Sequence, residues 1–245
     1  MAGLQVKCHM KKCIIQIALI FLFLFFPSGS CPSEQKITSV SPSSSSRVFN
    51  EARRIVSNLR SSRYSHKARV DEKSGTYILD CSSLACYILK RAAPASLSLV
   101  TADANRTHAR AANFYDTFLE APTKDTRKGW QRVLKLVEAE PGDFIAWKRE
   151  PCPRKGSTGH VAIVMKRPVK EKDGAVRVVI LDSSRSGHAR DTRRKGDSGV
   201  GVGTVWLRVD KSGAPVAVYW SSRKKKPRTC PIAIGRVMGG NAFKR

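Results

Sequence analysis

The sequence predicts an α+β protein in which helices come first and an antiparallel sheet follows. Between residues 48 and 137 most apolar side chains recur at helical spacing. After Pro141 and Gly142 the pattern changes to short β-type runs, which glycines, prolines and charged turns separate. The chain has 245 residues, of which 41% are hydrophobic, so it has the length and composition of one folded domain.

The first thirty residues have the layout of a signal peptide or an N-terminal anchor. Lysines precede an almost unbroken apolar run from Ile14 to Phe26, which Pro27 ends. Ser28 and Ser30 fit positions −3 and −1 of a cut before Cys31. We expect export to the periplasm, the cell envelope or the extracellular space. A retained anchor or a lipid on Cys31 would instead provide a membrane tether.

Residues 31–47 are rich in serine and are expected to form a flexible linker to a domain that spans residues 48–245. Within that domain, residues 61–76 are polar and predict a loop. Helices are predicted over Val48–Leu59, from Cys81 to just before Pro94, over 105–119 and over Trp130–Val137. Strands are predicted over 144–147, 160–166, 175–181, 203–209, 214–220 and 231–237.

The formal net charge of +26 indicates anionic surroundings. Peptidoglycan or another anionic cell-envelope polymer, lipid headgroups and nucleic acid all fit, and a generally basic proteome is the alternative explanation. Aromatic residues make up 7% of the chain, and no recognisable nucleic-acid-binding motif is present. We therefore expect no specific nucleic-acid partner. We also expect the protein to be a monomer. The basic run 223–228 could bind polyanions, but as a turn between two strands it is expected to be a solvated loop.

The chain has 7 cysteines, too few for a disulfide scaffold. A cut before Cys31 leaves an odd number of them, so at least one thiol stays free in an oxidising compartment. Cys152 and Cys230 are candidates for pairing, although the sequence does not establish it. The cysteines of the mature chain lack CxxC spacing, so no metal site is predicted.

Cys81 stands where an extended segment turns into a helix. A helix N-terminus stabilises a thiolate, and its unpaired backbone N–H groups can bind a developing oxyanion. The alternative is a buried core cysteine, because Cys81 shares an apolar stripe with Leu84 and Ile88. Cys86 lies in the middle of the helix and is expected to be structural.

A thiol nucleophile needs a base, and His160 is the strongest candidate among the five histidines. It follows Gly159 and begins an apolar strand, which would hold an imidazole at the edge of a buried sheet. A purely structural histidine is the alternative.

Three segments together resemble the NlpC-type family of papain-like cell-wall peptidases. They are Asp80 to Ser83, Pro141 to Trp147 and Gly159 to Val164, and the resemblance covers roughly residues 48–185. It implies a helix-borne Cys81 that faces a sheet-borne His160, hydrolysis of peptide bonds in murein stems, and no cofactor. Ser83 departs from the pattern, since the family often has glycine there.

The resemblance also implies a third polar residue on the strand after that of the histidine. Asp182 is the best match, with His188 as the alternative, and Asp182 could instead cap a turn. Tyr64 corresponds loosely to a tyrosine that lines the family's site. Asp80 and Ser82 flank the nucleophile and are candidates for substrate binding, while helix N-capping explains them equally well.

The sequence thus favours an exported cysteine peptidase or amidase that acts on peptidoglycan stem peptides through Cys81, His160 and Asp182. Two alternatives stay open at this point. One is an acyl hydrolase of another amide, ester or lipid substrate on the same scaffold. The other is a non-catalytic basic module that binds the cell wall.

Overall fold

A computed structural model describes residues 43–102, 108–124 and 129–239. The predicted leader and residues 31–42 of the predicted linker lie outside the described residues. The helices are α1 (Ser44–Asn58), α2 (Cys81–Ala92), α3 (Pro94–Leu97), α4 (Ala111–Glu120) and a 3-10 helix (Leu136–Glu138). The strands are β1 (Ser61–Tyr64), β2 (Arg69–Asp71), β3 (Thr76–Leu79), β4 (Trp130–Val133), β5 (Phe144–Lys148), β6 (Gly159–Val164), β7 (Val169–Lys170), β8 (Val176–Ser184), β9 (Gly199–Val209), β10 (Pro215–Tyr219), β11 (Arg228–Thr229) and β12 (Ile232–Val237).

Nine of these strands form one large antiparallel sheet. Its strand order is β11-β10-β9-β8-β6-β5-β12-β4, and β7 pairs with β8. The N-terminal helices pack against this sheet, with α2 on β6 and β8 and α4 on β5 and β12. The predicted α+β class with an antiparallel sheet is therefore confirmed.

Side-chain alternation along the central strands produces two buried clusters. Val161 and Ile163 of β6 join the cluster that includes the apolar faces of α1, α2 and α4. Ala162 and Val164 join a second cluster, to which β4, β5, β8, β9, β10 and β12 also contribute side chains. Because both faces of β6 are covered, the strand is held rigidly along its length.

Helix α1 begins at Ser44, four residues before the predicted start. Ser43 is its N-cap, and the Ser43 hydroxyl accepts a 3.1 Å hydrogen bond from the Ser46 amide. Ser44 and Ser45 are buried, and the Ser45 hydroxyl donates to the Pro141 carbonyl. The end of the serine-rich segment is thus helical, because serine is a favoured N-cap and these side chains find buried partners.

The loop predicted over residues 61–76 is wrong in part. Residues 61–64 and 69–71 are strands on either side of β3, parallel on one side and antiparallel on the other. The Ser62 hydroxyl donates to the Tyr77 carbonyl and accepts from the Val200 amide, which joins this small sheet to β9. Some of these pairing partners lie far away in sequence, so the hydrophobic pattern of this polar segment does not indicate a strand.

The helix predicted over Trp130–Val137 is also wrong. The segment forms the edge strand β4, paired with β12, followed by a 3-10 turn. Trp130 packs against Phe118 and Phe144, and its indole N–H donates to the Ser96 carbonyl at 2.8 Å. The two buried residues at the ends of this short edge strand have the same i, i+3 spacing as the buried face of a helix. The tertiary contacts determine that the segment forms a strand.

The segment from Pro141 to Trp147 is fixed by its backbone and by one buried ion pair. Gly142 has φ of +95°, and a Cβ there would lie 2.2 Å from the Ser45 carbonyl oxygen, so only glycine fits. The buried Asp143 accepts two 2.9 Å hydrogen bonds from Arg236 of β12. These contacts orient β5, the neighbour of β6.

The remaining predicted elements are confirmed with small shifts in their boundaries. Helix α2 begins at Cys81 and ends at Ala92, before Pro94, as the sequence indicates. Ala111–Glu120 is the part of the predicted 105–119 helix that forms among the described residues. The six predicted strands correspond to β5, β6, β8, β9, β10 and β12. Among the described residues, no helix has both the length and the apolar character needed to cross a membrane.

Candidate active site

Cys81 is the first residue of α2 and is 7% exposed. The helix starts here because Asp80 caps it: the Asp80 carboxylate accepts a 2.7 Å hydrogen bond from the Ser83 amide. The Ser183 hydroxyl of β8 donates to the Leu79 carbonyl at 2.6 Å, which ties the start of the helix to the sheet. The thiol therefore sits at a fixed position in the positive field of a helix N-terminus.

His160 and Asp182 lie at the same end of the sheet. His160 is near the start of β6 and Asp182 near the end of β8, and the two strands run antiparallel. The Nε2 atom of His160 donates a 2.6 Å hydrogen bond to Asp182 Oδ2. Cys81 also acts on His160 and raises its pKa, and Nδ1 is the ring nitrogen that the bond to Asp182 leaves for that interaction. Cys81, His160 and Asp182 thus form one connected row.

The surroundings of His160 raise its pKa to about 10. Burial opposes this shift because it penalises the imidazolium. The interaction with Cys81 and the hydrogen bond to Asp182 outweigh that penalty. Asp182 is also fully buried, which by itself would raise its pKa, yet hydrogen bonds from His160 and His188 lower it below the usual range. The geometry thus favours a charged Asp182 beneath a protonated His160.

Glycine before the histidine has a clear structural reason. Gly159 has φ of +149°, and a Cβ at this position would lie 1.9 Å from the Trp147 carbonyl oxygen. The absence of a side chain lets β6 pair closely with β5, where His160 lies opposite Trp147. The two rings are 4.9 Å apart, and the edge of Trp220 meets His160 at the same separation. These indoles cover the imidazole and restrict its rotation.

His188, the alternative third residue, occupies a different place. Its Nε2 atom lies 2.8 Å from Asp182 Oδ2, so it contacts the aspartate rather than His160. Arg193 donates to the other oxygen, Asp182 Oδ1, at 2.8 Å. In this geometry Asp182 is the residue that reaches His160, and His188 lies behind it.

The side chains of Asp80 and Ser82 are both engaged at the N-terminal cap of α2. Ser82 is buried, and its hydroxyl donates to Asp80 Oδ1 at 3.0 Å. The other oxygen, Asp80 Oδ2, accepts a 2.9 Å hydrogen bond from His66 Nδ1. Burial would raise the pKa of Asp80, but the hydrogen bonds from Ser83 and His66 lower it. Of these two candidates for substrate binding, only Asp80 reaches a residue of the cleft, through His66.

Tyr64 reaches the site at the end of β1. Its half-buried hydroxyl has a pKa raised to about 12, first by burial and then by the negative charges of Cys81 and Asp80. The guanidinium of Arg185 lies 5.3 Å from the centre of the Tyr64 ring. Tyr64 and Arg185 thus line the same groove as His160.

A groove of about 510 Å³ opens beside His160. Its lining consists of Tyr64, His66, Trp147, Arg149, Gly156, Ser157, Gly159, His160, Ser184, Arg185, Ser186, Val218, Trp220 and Arg228. Three arginines and no carboxylate belong to this lining, and within the described part of the chain none of these arginines forms an ion pair. Cys81 does not itself line the groove, but its neighbour His160 does. The groove is suited to an anionic or polar ligand.

The other described cysteines differ from Cys81. Burial raises the pKa of Cys86 to about 11 and also raises that of Cys230. Cys152 is exposed, and both Cys152 and Cys230 are free thiols. No cluster of three or more metal-ligating side chains occurs in the described ranges.

No local sequence pattern indicated His66, Arg185 or Arg193 as site residues. They lie in polar segments that only the folded chain brings to the site. Trp220 falls in a predicted strand, but its contact with His160 depends on the return of β10 beside β9. A pattern read along the chain cannot detect such contacts.

The chain is similar to the uncharacterized protein R653 of Acanthamoeba polyphaga mimivirus. The two are 25% identical over 182 residues, which cover 65% of this chain and 78% of that protein. No protein-family model matches the chain. No solved structure matches it significantly.

Proposed function

We propose that the protein is an exported cysteine hydrolase of the papain-like, NlpC type, with Cys81 as nucleophile, His160 as acid and base, and Asp182 as the residue that orients His160. The observation that carries this proposal is the connected row of the three side chains at the N-terminus of α2. A buried thiol, imidazole and carboxylate in this order are the parts that acyl transfer requires.

In the first half of the reaction, the Cys81 thiolate attacks the carbonyl carbon of an amide and forms a C–S bond. Backbone N–H groups in the first turn of α2 stabilise the oxyanion. The protonated His160 then gives its proton to the leaving nitrogen, and the C–N bond breaks. Asp182 keeps the ring oriented throughout, and the acyl group remains on Cys81 as a thioester.

In the second half, His160 accepts a proton from water as the water oxygen attacks the thioester. The C–S bond breaks, the product leaves as a carboxylic acid, and Cys81 and His160 return to their starting protonation. General acid–base catalysis by a positioned histidine contributes roughly 10²- to 10⁴-fold to such a reaction. No step needs a metal or an organic cofactor.

The groove and the net charge support an anionic substrate. Arg149, Arg185 and Arg228 line the groove without carboxylate partners among the described residues, and the whole chain carries +26. Stem peptides of peptidoglycan carry free carboxylates next to amide bonds. We therefore propose these stem peptides, or another anionic polymer of the cell envelope, as the substrate, with the protein acting outside the cytoplasmic membrane.

The test is to incubate the purified protein with defined stem peptides and to identify the products by mass spectrometry. Cys81→Ala and His160→Ala are each expected to abolish cleavage. Cys152→Ala is the matched control, because Cys152 is an exposed thiol, and it is expected to cleave at the rate of the unaltered protein. Cleavage that survives in Cys81→Ala would contradict the mechanism. Cleavage of only other amides, esters or lipids would contradict the substrate assignment alone.

A further inference from the structure

Two glycines on β9 leave room for a buried arginine. Gly201 lies directly opposite Asp182 in the ladder of β8 and β9, so a side chain at position 201 would share the face of the sheet that carries Asp182. A Cβ at Gly201 would lie 2.5 Å from Nε of Arg193, and one at Gly203 would lie 2.5 Å from Oδ2 of Asp191. Neither glycine has a positive φ. The close approach of these side chains therefore explains why glycine stands at both positions.

The connection from β8 to β9, residues 185–198, supplies the side chain that fills this space. The connection folds back along β9, and Ala189 forms an antiparallel β-bridge with Thr204. As a result, the Arg193 side chain lies over Gly201 and is only 3% exposed. The guanidinium therefore takes the place that a side chain at position 201 would otherwise occupy.

All five N–H groups of the Arg193 guanidinium meet an acceptor. Two of them donate to the carboxylate of Asp191 and one donates to Asp182 Oδ1, each at 2.8 Å. The remaining two donate to the Ser184 hydroxyl and the Gly199 carbonyl. Because the guanidinium is planar and rigid, these contacts together fix its position, and with it the position of the N–H that meets Asp182.

We infer that Arg193 is a positioning residue that keeps the Asp182 carboxylate turned toward His160. His160 donates to Asp182 Oδ2 at 2.6 Å, and Nε2 of His188 lies 2.8 Å from the same atom. A carboxylate held at one oxygen could still turn about that atom, whereas the bond from Arg193 to Oδ1 fixes its plane. As a role in catalysis, this inference rests on the proposed function, because His160 needs a fixed Asp182 to keep its orientation toward the thiol.

Gly201→Ala tests this role without removing a polar group. The added methyl group would overlap the Arg193 side chain, so the guanidinium must move away from Asp182. Gly187→Ala is the matched control, because a Cβ at Gly187 would meet its nearest neighbours at 3.5 Å, an ordinary contact distance.

Arg193→Gln is the second variant. The glutamine amide ends near the place of the arginine Nε atom, which contacts Asp191, and so it falls short of Asp182. Arg194→Gln, at the exposed neighbouring position, is its control. If either Gly201→Ala or Arg193→Gln does not fold, the other one decides the question.

The first measurement is a crystal structure of each variant, which requires no turnover. In Gly201→Ala and Arg193→Gln we expect Asp182 to turn, so that its nearer oxygen lies beyond about 3.5 Å from His160 Nε2 and the hydrogen bond is lost. In the two controls the distance should stay near 2.6 Å. An intact bond between Asp182 and His160, with the contact from residue 193 to Asp182 Oδ1 gone, would overturn the inference.

The second measurement separates positioning from support of the groove. The connection that carries Arg193 also carries Arg185 and Ser186, which line the groove. Loosening of the whole connection would therefore raise KM for stem peptides. Loss of positioning instead lowers kcat, by about 10²-fold, and leaves KM within about twofold of its normal value. A raised KM with an unchanged kcat would overturn the inference.

The positioning role and the proposed function can fail separately. An unaltered protein that neither cleaves nor is alkylated at Cys81 would count against the proposed function. The crystal structures would then still show whether Arg193 holds Asp182 toward His160. An unaltered protein that cleaves, with an equal kcat in a Gly201→Ala protein whose Arg193 is displaced, would count against the positioning role alone.

Discussion

His160 donates from Nε2 to Asp182 Oδ2 at 2.6 Å, and this bond leaves the opposite ring nitrogen for Cys81. Asp182 is itself fixed by Arg193 and His188, so its carboxylate has little freedom to rotate. An imidazole that hydrogen-bonds to a carboxylate in this way has a defined tautomer and orientation.

Asp182→Asn is expected to reduce the rate of substrate cleavage by roughly 10²- to 10⁴-fold, because an amide can donate to Nε2 and so favour the wrong tautomer of His160. Cleavage of stem peptides, followed by mass spectrometry, measures the effect, with circular dichroism to verify folding. Asp173→Asn is the control, since Asp173 pairs with Arg223 at the surface. A folded Asp182→Asn protein with an unchanged rate would show that His160 does not need the aspartate.

The raised pKa of His160 predicts a pH-dependent contribution to stability. A histidine whose pKa is raised from 6.5 to about 10 in the folded state stabilises the fold fully below pH 6.5. That contribution is lost as pH rises toward 10. The difference in the free energy of unfolding between the unaltered protein and His160→Gln should therefore shrink across this window. Urea denaturation at a series of pH values measures it, and a difference that grows with pH would refute this assignment.

The buried pair of Asp143 and Arg236 is expected to be important for stability. Arg236→Gln leaves the Asp143 carboxylate without its cation, and breaking a buried pair costs about 3 to 5 kcal/mol. Burial already raises the pKa of Asp143. The loss should therefore be smaller in acid, where a proton can neutralise the carboxylate.

Arg223→Gln is the matched control for this stability measurement, because Arg223 and Asp173 are partly exposed. Exposed ion pairs contribute at most about 1 kcal/mol. Urea denaturation at pH 7 compares the two variants with the unaltered protein. Equal losses for Arg236→Gln and Arg223→Gln would contradict the importance of the buried pair.

The arginines of the groove predict a preference for negatively charged reagents. Iodoacetate and iodoacetamide alkylate the same sulfur but differ in charge, so the ratio of their rates at Cys81 reports the local potential. Arg185→Gln should lower this ratio about threefold, the effect of one charge near 6 Å in a water-like dielectric. Arg208→Gln, at an exposed position of β9 outside the groove lining, should leave the ratio unchanged. Equal ratios in all three proteins would mean that Arg185 does not act on the groove.

Much of the fold follows from local patterns in the sequence. Helix α2 and the strands around Ile145, Ala162 and Ile180 carry strong apolar periodicity, and tertiary packing agrees with it. Trp130 and the segment at residues 61–64 were predicted wrongly because their conformation depends on partner strands far away in sequence. Local propensity cannot identify such partners.

The candidate site divides in the same way. Cys81 and His160 carry local signals, a helix start and a glycine-preceded strand start, and the fold brings them together. His66 and Arg193 have no such signal, because polar loops look alike until the chain folds. His188 was suggested by proximity in sequence to Asp182, and only the folded geometry shows that it binds the aspartate from behind.

The central claim is that Cys81 is an activated nucleophile, and the rate of its alkylation tests this most directly. An ordinary thiol, with a pKa near 8.5, is almost entirely protonated at pH 6 and reacts slowly. The measurement is the iodoacetamide reaction of the unaltered protein at pH 6, resolved by peptide mass spectrometry. The exposed Cys152 serves as an internal reference. We expect Cys81, although only 7% exposed, to react faster than Cys152 and to lose this advantage in His160→Ala. A Cys81 that stays unmodified while Cys152 reacts would contradict the account.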